Sequence, residues 1–124
     1  MSNPLVSVII PHWNGIDVLS ECLESLAQTQ YDPFEIIVVD NASTDGSPEW
    51  VSLNYPQMKL IENDQNYGYA GGCNRGAKAA TGDYLVFLNN DTIQDPNWLS
   101  PLVDFLNLNP KVAAVQPKVL NFFD

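Results

Sequence analysis

The chain has 124 residues, of which 45% are hydrophobic and 10% aromatic, and its formal net charge is −10 at pH 7. This length and apolar content suit one folded domain with its own core and argue against disorder. Binding to DNA or RNA through phosphates needs clustered cations, so a composition of 15 acidic and 5 basic residues excludes a nucleic-acid-binding function.

The first part of the chain alternates apolar runs with a helical pattern. Residues 5–10 form an apolar, β-branched run that Pro11 ends, and residues 34–39 form a second such run. Both are typical of strands that are buried on both faces. Between them, apolar residues recur every three or four positions over residues 16–29, which predicts an amphipathic helix.

The same alternation continues to the end of the sequence. Turn residues, N-cap residues and prolines mark the boundaries of the later elements. The predicted elements are a short helix beginning at Ser47, a strand at 58–61, a helix at 69–80, a strand at 84–88, a helix from 95–96 to 109–110 and an extended segment at 112–119. Strands that alternate with helices predict an α/β fold, with a mostly parallel sheet and helices on both of its faces.

Polar residues follow every predicted strand. They are His12, Trp13 and Asn14 after the first strand, Asp40 and Asn41 after the second, residues 63–68 after the third, and Asn89, Asn90 and Asp91 after the fourth. In an open parallel sheet, ligands bind at the carboxyl ends of the strands. We therefore predict a binding cleft at this edge, although each stretch alone also suits an ordinary turn.

Two other features narrow the class of protein. No stretch is long and apolar enough to span a membrane, and residues 1–4 lack the start of a signal peptide, so we expect a cytoplasmic protein. Cys22 and Cys73 are not spaced in the way that metal-binding cysteines are. We therefore predict that they are small buried thiols and that they form neither a disulfide nor a zinc site.

The stretch Asn89, Asn90 and Asp91 directly follows a fully apolar strand. A carboxylate flanked by amides at a strand end can hold a hard cation such as Mg²⁺ or Mn²⁺, and the alternative is a simple strand-to-helix turn. A dinucleotide-binding glycine motif and a P-loop are absent, and the first strand ends in Pro-His where phosphoacceptor proteins need an aspartate.

Four motifs occur in a fixed order along the chain. They are Val-Ser-Val-Ile-Ile-Pro-His-Trp-Asn (6–14), Ile-Ile-Val-Val-Asp-Asn-Ala-Ser (36–43), Asn-Tyr-Gly-Tyr-Ala-Gly-Gly-Cys-Asn-Arg-Gly (66–76) and Phe-Leu-Asn-Asn-Asp (87–91). Over residues 6–119 the chain thus resembles the family 2 glycosyltransferases, in particular a rhamnosyltransferase-like branch. The resemblance implies a GT-A, Rossmann-like fold, with residues 1–124 forming a single nucleotide-sugar-binding domain truncated before the acceptor-binding half.

The resemblance also implies roles for individual residues. Asp40 would accept a hydrogen bond from the imide N–H of the base, and Asp91 would bind a metal that bridges the diphosphate, with Asn89 as a neutral oxygen ligand. The remaining residues implied to line the nucleotide site are Pro11, His12, Asn14, Asn41, Gly68, Gly71, Gly72, Asn74 and Asn90.

The residues themselves leave other interpretations open. Asp40 also suits capping of the turn that follows it, Gly71 and Gly72 suit a tight contact between helix and sheet, and His12 beside Trp13 suits packing. Arg75 and Lys78 lie three apart on one helical face, where a solvent or ion-pair position is favoured over a phosphate contact.

By resemblance, we expect an inverting, metal-dependent transfer of a sugar from a UDP-linked or dTDP-linked donor to a glycan or lipid-linked acceptor in polysaccharide synthesis, with rhamnose as one candidate sugar. Two positions depart from the family pattern: Asn89 replaces the first acid of Asp-x-Asp, and Cys73 replaces an arginine that is common among relatives. The catalytic residue stays unknown, because in this family the base lies in the acceptor-binding half.

Two other functions remain as alternatives. One is a non-catalytic nucleotide-sugar-binding module that lacks the acceptor half, and the other is an unrelated flavodoxin-like partner-binding domain. Residues 115–124 end on exposed aromatics after a predicted extended segment, so a homo-oligomer formed through this segment is a further expectation.

Overall fold

A computed structural model describes residues 3–120 of the chain. Its elements are β1 (Val6–His12), α1 (Ile16–Leu26), β2 (Phe34–Asp40), α2 (Ser47–Asn54), β3 (Lys59–Glu62), α3 (Gly68–Ala79), β4 (Tyr84–Phe87) and α4 (Leu99–Leu108). The strands form one sheet in the order β3-β2-β1-β4, and every neighbouring pair is parallel. The predicted parallel α/β fold is therefore confirmed.

The two faces of the sheet are covered by different helices, as predicted. Alternate residues of β1 and β2, such as Val8 and Val38, pack on one face with buried residues of α1, α2 and α4. On the other face, Ile9, Ile37 and Val39 form a smaller cluster to which α3 contributes Ala77. Among the described residues no helix is long and apolar enough to cross a membrane.

Helix α3 approaches the sheet closely because glycines face it. A Cβ added to Gly76 would lie 2.4 Å from Ile9 Cγ2, and one added to Gly72 would lie 2.9 Å from Pro11 Cβ. Both distances are too short for a real side chain, so these two positions need glycine for packing. For Gly72, the contact between helix and sheet is thus an observed role.

Strand β1 runs through Pro11 to His12, so the prediction that Pro11 ends the strand is wrong. Pairing with β4 stops at Ile9, whereas pairing with β2 continues to His12. Ile9 O accepts a hydrogen bond from Leu88 N on the β4 side, and Pro11, two residues on, faces the same side. The N–H that proline lacks would point to a place where β4 has already ended, so the ladder loses no bond.

Other boundaries shift by a few residues. Helix α1 ends at Leu26, three residues before the predicted end, and the chain then continues in a turn. Helix α4 begins at Leu99 and not at 95–96, because Asp95 forms a turn by accepting a hydrogen bond from Asn97 N at 2.9 Å. Helix α2 has Gly46 as its N-cap, and the predicted cap, Ser47, is its first residue.

The predicted extended segment at 112–119 pairs with no strand of the described part of the chain. Val112 N closes a turn on Asn109 O, and the side chains of Val119 and Leu120 are exposed. The aromatic residues Phe122 and Phe123, on which the expected self-association partly rests, lie outside the described residues. Association through this segment stays a prediction.

The two cysteines are as predicted, because both Cys22 and Cys73 are buried free thiols. Burial raises the pKa of each thiol above its ordinary value. Neither is therefore a reactive thiolate at neutral pH.

At the amino ends of the strands, the carboxylate of Glu35 contacts residues of three other segments. We call this group the amino edge; its members are Ser7, Glu35, Lys59 and Thr81. Glu35 Oε2 accepts hydrogen bonds from Ser7 Oγ at 2.5 Å, Thr81 N at 2.9 Å and Thr81 Oγ1 at 3.1 Å, while its Oε1 pairs with Lys59 Nζ at 2.8 Å. Burial would raise the pKa of Glu35, but the hydrogen bonds from Lys59, Ser7 and Thr81 outweigh it and lower the pKa to about 2. This carboxylate is thus ionised and has a partner on each oxygen.

Candidate functional site

The polar residues that follow the strands do come together, at what we call the carboxyl edge: residues 12–15, 40–47, 63–68 and 89–91. Hydrogen bonds join the segments across long sequence separations, for example Asn14 N to Ser43 Oγ at 2.9 Å and Thr44 N to Asn14 Oδ1 at 2.8 Å. Asn14 has a positive φ of 47°, a conformation that asparagine tolerates better than most residues. The parallel sheet brings the strand ends together because all strands point the same way.

Asp40 lies at the end of β2, in the middle of this edge, and only 2% of its surface is exposed. Its Oδ2 accepts a hydrogen bond from Ser43 N at 2.9 Å, which is the predicted capping of the following turn. Its Oδ1 is buried and accepts no hydrogen bond from the residues that the structure describes. A buried acceptor without a donor is costly, so this oxygen calls for a donor from outside the chain.

The side chain of Asn41 is hydrogen-bonded to the loop between β3 and α3. Its Oδ1 accepts hydrogen bonds from Asn63 Nδ2 at 2.9 Å and Tyr67 N at 3.3 Å, and its Nδ2 donates to Gly68 O at 3.1 Å. The side chain is buried and both of its ends are occupied. Asn41 therefore shapes the wall beside Asp40, and a direct contact with a ligand stays a prediction.

His12 is 1% exposed, and both of its ring nitrogens have partners. Nε2 lies 2.9 Å from Ser47 Oγ, and Nδ1 lies 2.9 Å from Asn90 Nδ2. Burial lowers the pKa of His12 below its ordinary value, although the charges of Asp40 and Asp45 oppose this shift. The structure places His12 in a packed position, and its predicted contact with a ribose would have to replace one of these hydrogen bonds.

A Ser-His-Asp arrangement occurs here but does not fit nucleophilic catalysis. Ser47 Oγ donates to Asp45 Oδ1, and the second nitrogen of His12 meets the amide of Asn90. In a catalytic triad the carboxylate binds the histidine and the histidine takes the proton of the serine. Ser47 is also fully buried, so the group holds the loop together and offers no nucleophile.

The glycines that were predicted to line the nucleotide site differ in what surrounds them. A Cβ on Gly71 would lie 2.6 Å from Tyr67 Cβ, and Gly72 packs on Pro11, so these glycines permit close packing of backbone. Gly68 has a positive φ of 75°, and its N–H donates to Asn66 Oδ1 at 2.8 Å. Asn74 is exposed on α3. Ligand contacts of Pro11, Gly68, Gly71, Gly72 and Asn74 stay predictions.

The predicted metal segment alternates between outward and inward side chains. Asn89 and Asp91 are exposed, whereas Asn90 is half-buried and turned towards His12. Within residues 3–120 no three His, Cys, Asp or Glu side chains form a group that could hold a metal ion. One carboxylate with amide oxygens fits a hard cation only if the ligand and water supply most of the coordinating oxygens.

Trp13 was placed at this edge from the sequence but was given no role. Its side chain is 53% exposed directly after β1, and an aromatic residue at a strand end was the available signal. Arg75 stacks on the ring of Tyr67 with its guanidinium carbon 3.8 Å from the ring centroid, and Tyr67 Oη donates to Asp64 at 2.5 Å. Arg75 is exposed to solvent, which is one of the two positions favoured for it, and its cation–π contact with Tyr67 is an additional contact.

The matches to known sequences all indicate the same family of proteins. A model of the family described as "Glycosyl transferase family 2" matches residues 7–122. The chain is 39% identical over 126 residues to the O-antigen biosynthesis protein RfbC of Myxococcus xanthus, with 94% of this chain and 9% of that protein covered. It is 33% identical over 110 residues to a PGL/p-HBAD biosynthesis glycosyltransferase of Mycobacterium tuberculosis, with 86% and 43% covered. The chain spans less than half the length of these relatives.

Solved structures show the same fold. The mannosyltransferase PcManGT from Pyrobaculum calidifontis, in complex with GDP-Man and Mn²⁺, matches with a TM-score of 0.77 and 31% identity over 85% of this chain and 33% of its own. S. aureus TarS in complex with UDP matches with a TM-score of 0.77 and 26% identity over 94% of this chain and 38% of its own. The predicted GT-A, Rossmann-like fold is confirmed.

Proposed function

The chain belongs to glycosyl transferase family 2, and on that premise we propose that its carboxyl edge is the donor site of a metal-dependent, inverting glycosyltransferase. The donor is a nucleoside-diphosphate sugar, and the acceptor is a hydroxyl of a glycan or a lipid-linked glycan. Relatives named for O-antigen and for PGL/p-HBAD biosynthesis support a role in glycan synthesis.

The observation that carries this proposal is the unpaired oxygen of Asp40. A carboxylate is an acceptor only, so Oδ1 suits an N–H donor of a nucleobase. The other oxygen is already bound to Ser43 N. One free oxygen matches the single imide N–H of uracil or thymine, whereas guanine presents two adjacent donors, so we propose a UDP-linked or dTDP-linked sugar, with rhamnose as one candidate.

Trp13 supplies the second part of the base site in this proposal. Its half-exposed ring lies directly after β1, which pairs with β2 up to the register partners His12 and Asp40. An aromatic face beside a buried acceptor would allow a base to stack while its edge is hydrogen-bonded. The ribose and the diphosphate would then extend along residues 89–91.

The diphosphate part of the proposal depends on Asp91. Its exposed carboxylate and the amide of Asn89 would hold Mg²⁺ or Mn²⁺ together with phosphate oxygens, and the metal would neutralise the leaving diphosphate. Arg75 is stacked on Tyr67 in this structure, so we assign the phosphate charge to the metal and not to this arginine. Metal affinity without nucleotide should be weak, since only one carboxylate is available.

We assign the catalytic base to no residue of this chain. We propose that an acceptor-binding half of a longer polypeptide supplies it, which fits relatives much longer than the chain. The alternative is a non-catalytic module that binds nucleotide sugars. Sugar transfer or donor hydrolysis by this chain, or by a longer polypeptide that contains it, would decide for the enzyme.

The base contact is tested with a modified nucleotide. Calorimetric titration with UDP and with N3-methyl-UDP compares two ligands that differ in the one N–H that Asp40 would accept. We expect binding of UDP to be tighter by about 10-fold to 100-fold, the cost of leaving a buried acceptor unpaired. Equal affinities would remove Asp40 as the base-reading residue.

A further inference from the structure

A line of four side chains crosses the carboxyl edge from one loop to another. We call it the His12 relay: Asp45, Ser47, His12 and Asn90. Ser47 Oγ bonds to Asp45 Oδ1 and lies 2.9 Å from His12 Nε2, and Asn90 Nδ2 lies 2.9 Å from His12 Nδ1. Asp45 and the neighbours of Asn90 are exposed, while Ser47 and His12 are buried. The relay thus connects two solvent-facing loops through the protein interior.

The charge on Asp45 fixes the direction of every hydrogen bond in the relay. The hydrogen bond from Ser47, together with those from the backbone of Gly15 and Ser47, lowers the pKa of Asp45, so its carboxylate accepts only. The hydroxyl hydrogen of Ser47 then points to Asp45, and Ser47 Oγ must accept from His12 Nε2–H. In a neutral imidazole the other nitrogen is an acceptor, so Nδ1 receives the amide N–H of Asn90.

The last member of the relay sets the orientation of the segment around it. Asn90 is the middle residue of the stretch Asn89 to Asp91, and residues 90 and 91 form a turn. In this turn Asn90 is half-buried and bonded to His12, whereas Asn89 and Asp91 are exposed, so the bond to His12 fixes the side of the turn that faces solvent. A second bond, from Thr92 Oγ1 to Asn89 O at 3.0 Å, supports the same turn.

We propose that His12 is a positioning residue that holds Asn89 and Asp91 in the orientation needed for the metal and diphosphate, through its Nδ1 acceptor for Asn90. His12 touches neither donor nor metal. Because its Nε2 is bound to Ser47 in the loop that follows Asp40, it also ties the metal segment to the base-binding loop. This inference rests on the proposed donor site.

Two variants of His12 separate its nitrogens. In His12→Asn the amide oxygen replaces the Nδ1 acceptor, whereas in His12→Gln the amide nitrogen replaces the Nε2–H donor but leaves Asn90 without an acceptor. For each protein, UDP affinity is measured by calorimetry with and without Mn²⁺, and the ratio of the two affinities is the readout. A general loss of structure lowers both affinities, and only a positioning role changes their ratio.

We expect the Mn²⁺ enhancement of wild type to persist in His12→Asn and to fall by about 5-fold to 10-fold in His12→Gln, which corresponds to one lost hydrogen bond. The metal-free affinity should stay close to wild type in His12→Gln, which keeps the donor to Ser47, and should fall in His12→Asn, which loses it. An unchanged enhancement in His12→Gln would overturn the inference, whereas no enhancement in wild type would overturn the proposed donor site itself.

A spectroscopic measurement covers the case in which the variants do not fold. The chain has a single histidine, so ¹⁵N-histidine labelling gives one pair of ring-nitrogen signals that needs no assignment. The relay predicts a neutral ring with the proton on Nε2 and a bare Nδ1 at pH 7. A proton on Nδ1 would reverse the bond to Asn90 and contradict the proposal.

Discussion

The two ends of the sheet use carboxylates in opposite ways. At the amino edge, Glu35 has a hydrogen-bond or ion-pair partner on each oxygen. At the carboxyl edge, Asp40 is more deeply buried, yet one of its oxygens has no partner among the described residues. A carboxylate whose oxygens all have partners contributes to stability, whereas a buried oxygen without a donor carries a cost in stability. The amino edge thus holds the fold, and the carboxyl edge is the part that we propose to bind the ligand.

The largest effect on stability is expected from Glu35→Ala. This change leaves the buried hydroxyl of Ser7 without its acceptor, whereas water can replace the acceptor of the exposed Thr81 N–H, so it should lower the free energy of unfolding by about 1 to 3 kcal/mol. Urea unfolding measures it, with the exposed Glu21→Ala as a control that should stay within about 0.5 kcal/mol. A loss similar to that of the control would show that the amino edge does not hold the fold.

The opposite pattern is expected from Asp40→Asn. The amide oxygen can still accept from Ser43 N, so the free energy of unfolding should change by less than about 1 kcal/mol. The amide nitrogen would face the N–H of the base, so UDP affinity should fall by about 10-fold to 100-fold. Asp17→Asn, at the exposed start of α1, is the matched control. Full UDP binding by Asp40→Asn would break the contrast between the two edges.

The fold is predictable from the sequence because the signals that specify it are local. Apolar runs such as residues 36–39 and a strict order of strand and helix require a parallel sheet, and strand-end positions predicted that Asp40 and Asp91 lie at one edge. The hydrogen-bond partners of Glu35 could not be predicted, since Ser7 and Thr81 lie 28 and 46 residues away in the sequence. Local patterning carries no information about such pairs.

The same limit explains why the roles of some site residues stayed open. The burial of His12 depends on β1 continuing past Pro11, which in turn depends on β4 ending before it. The contact of Gly72 with Pro11 depends on how closely α3 approaches the sheet. Both are consequences of tertiary packing, and the residues alone left packing and binding open as alternatives.

A smaller effect is expected in the dependence of stability on pH. The pKa of Glu35 is lowered from 4.5 to about 2 on folding, so its contribution is complete above pH 4.5 and is lost as the pH falls towards 2. Lys59 is 44% exposed, and after solvent screening we expect about 1 to 2 kcal/mol over this range. Urea unfolding between pH 5 and 3 should therefore show a smaller fall for Glu35→Ala than for wild type. Parallel curves would contradict this assignment.

The smallest effect is expected from Lys59→Met. The ion pair with Glu35 is partly exposed, and such pairs contribute about 0.2 to 1 kcal/mol. The hydrogen bonds from Ser7 and Thr81 remain, so most of the stability of the amino edge should persist. If the loss in urea unfolding matched that of Glu35→Ala, the ion pair and not the hydrogen bonds from Ser7 and Thr81 would be the main stabilising contact.

We propose that the carboxyl edge binds a nucleoside diphosphate together with a divalent metal. Calorimetric titration of the chain with UDP, with and without Mn²⁺, measures this binding, with Asp91→Ala as the matched variant. We expect UDP binding that Mn²⁺ strengthens in wild type and does not strengthen in Asp91→Ala. No UDP binding in either condition, or an Mn²⁺ enhancement that survives in Asp91→Ala, would contradict it.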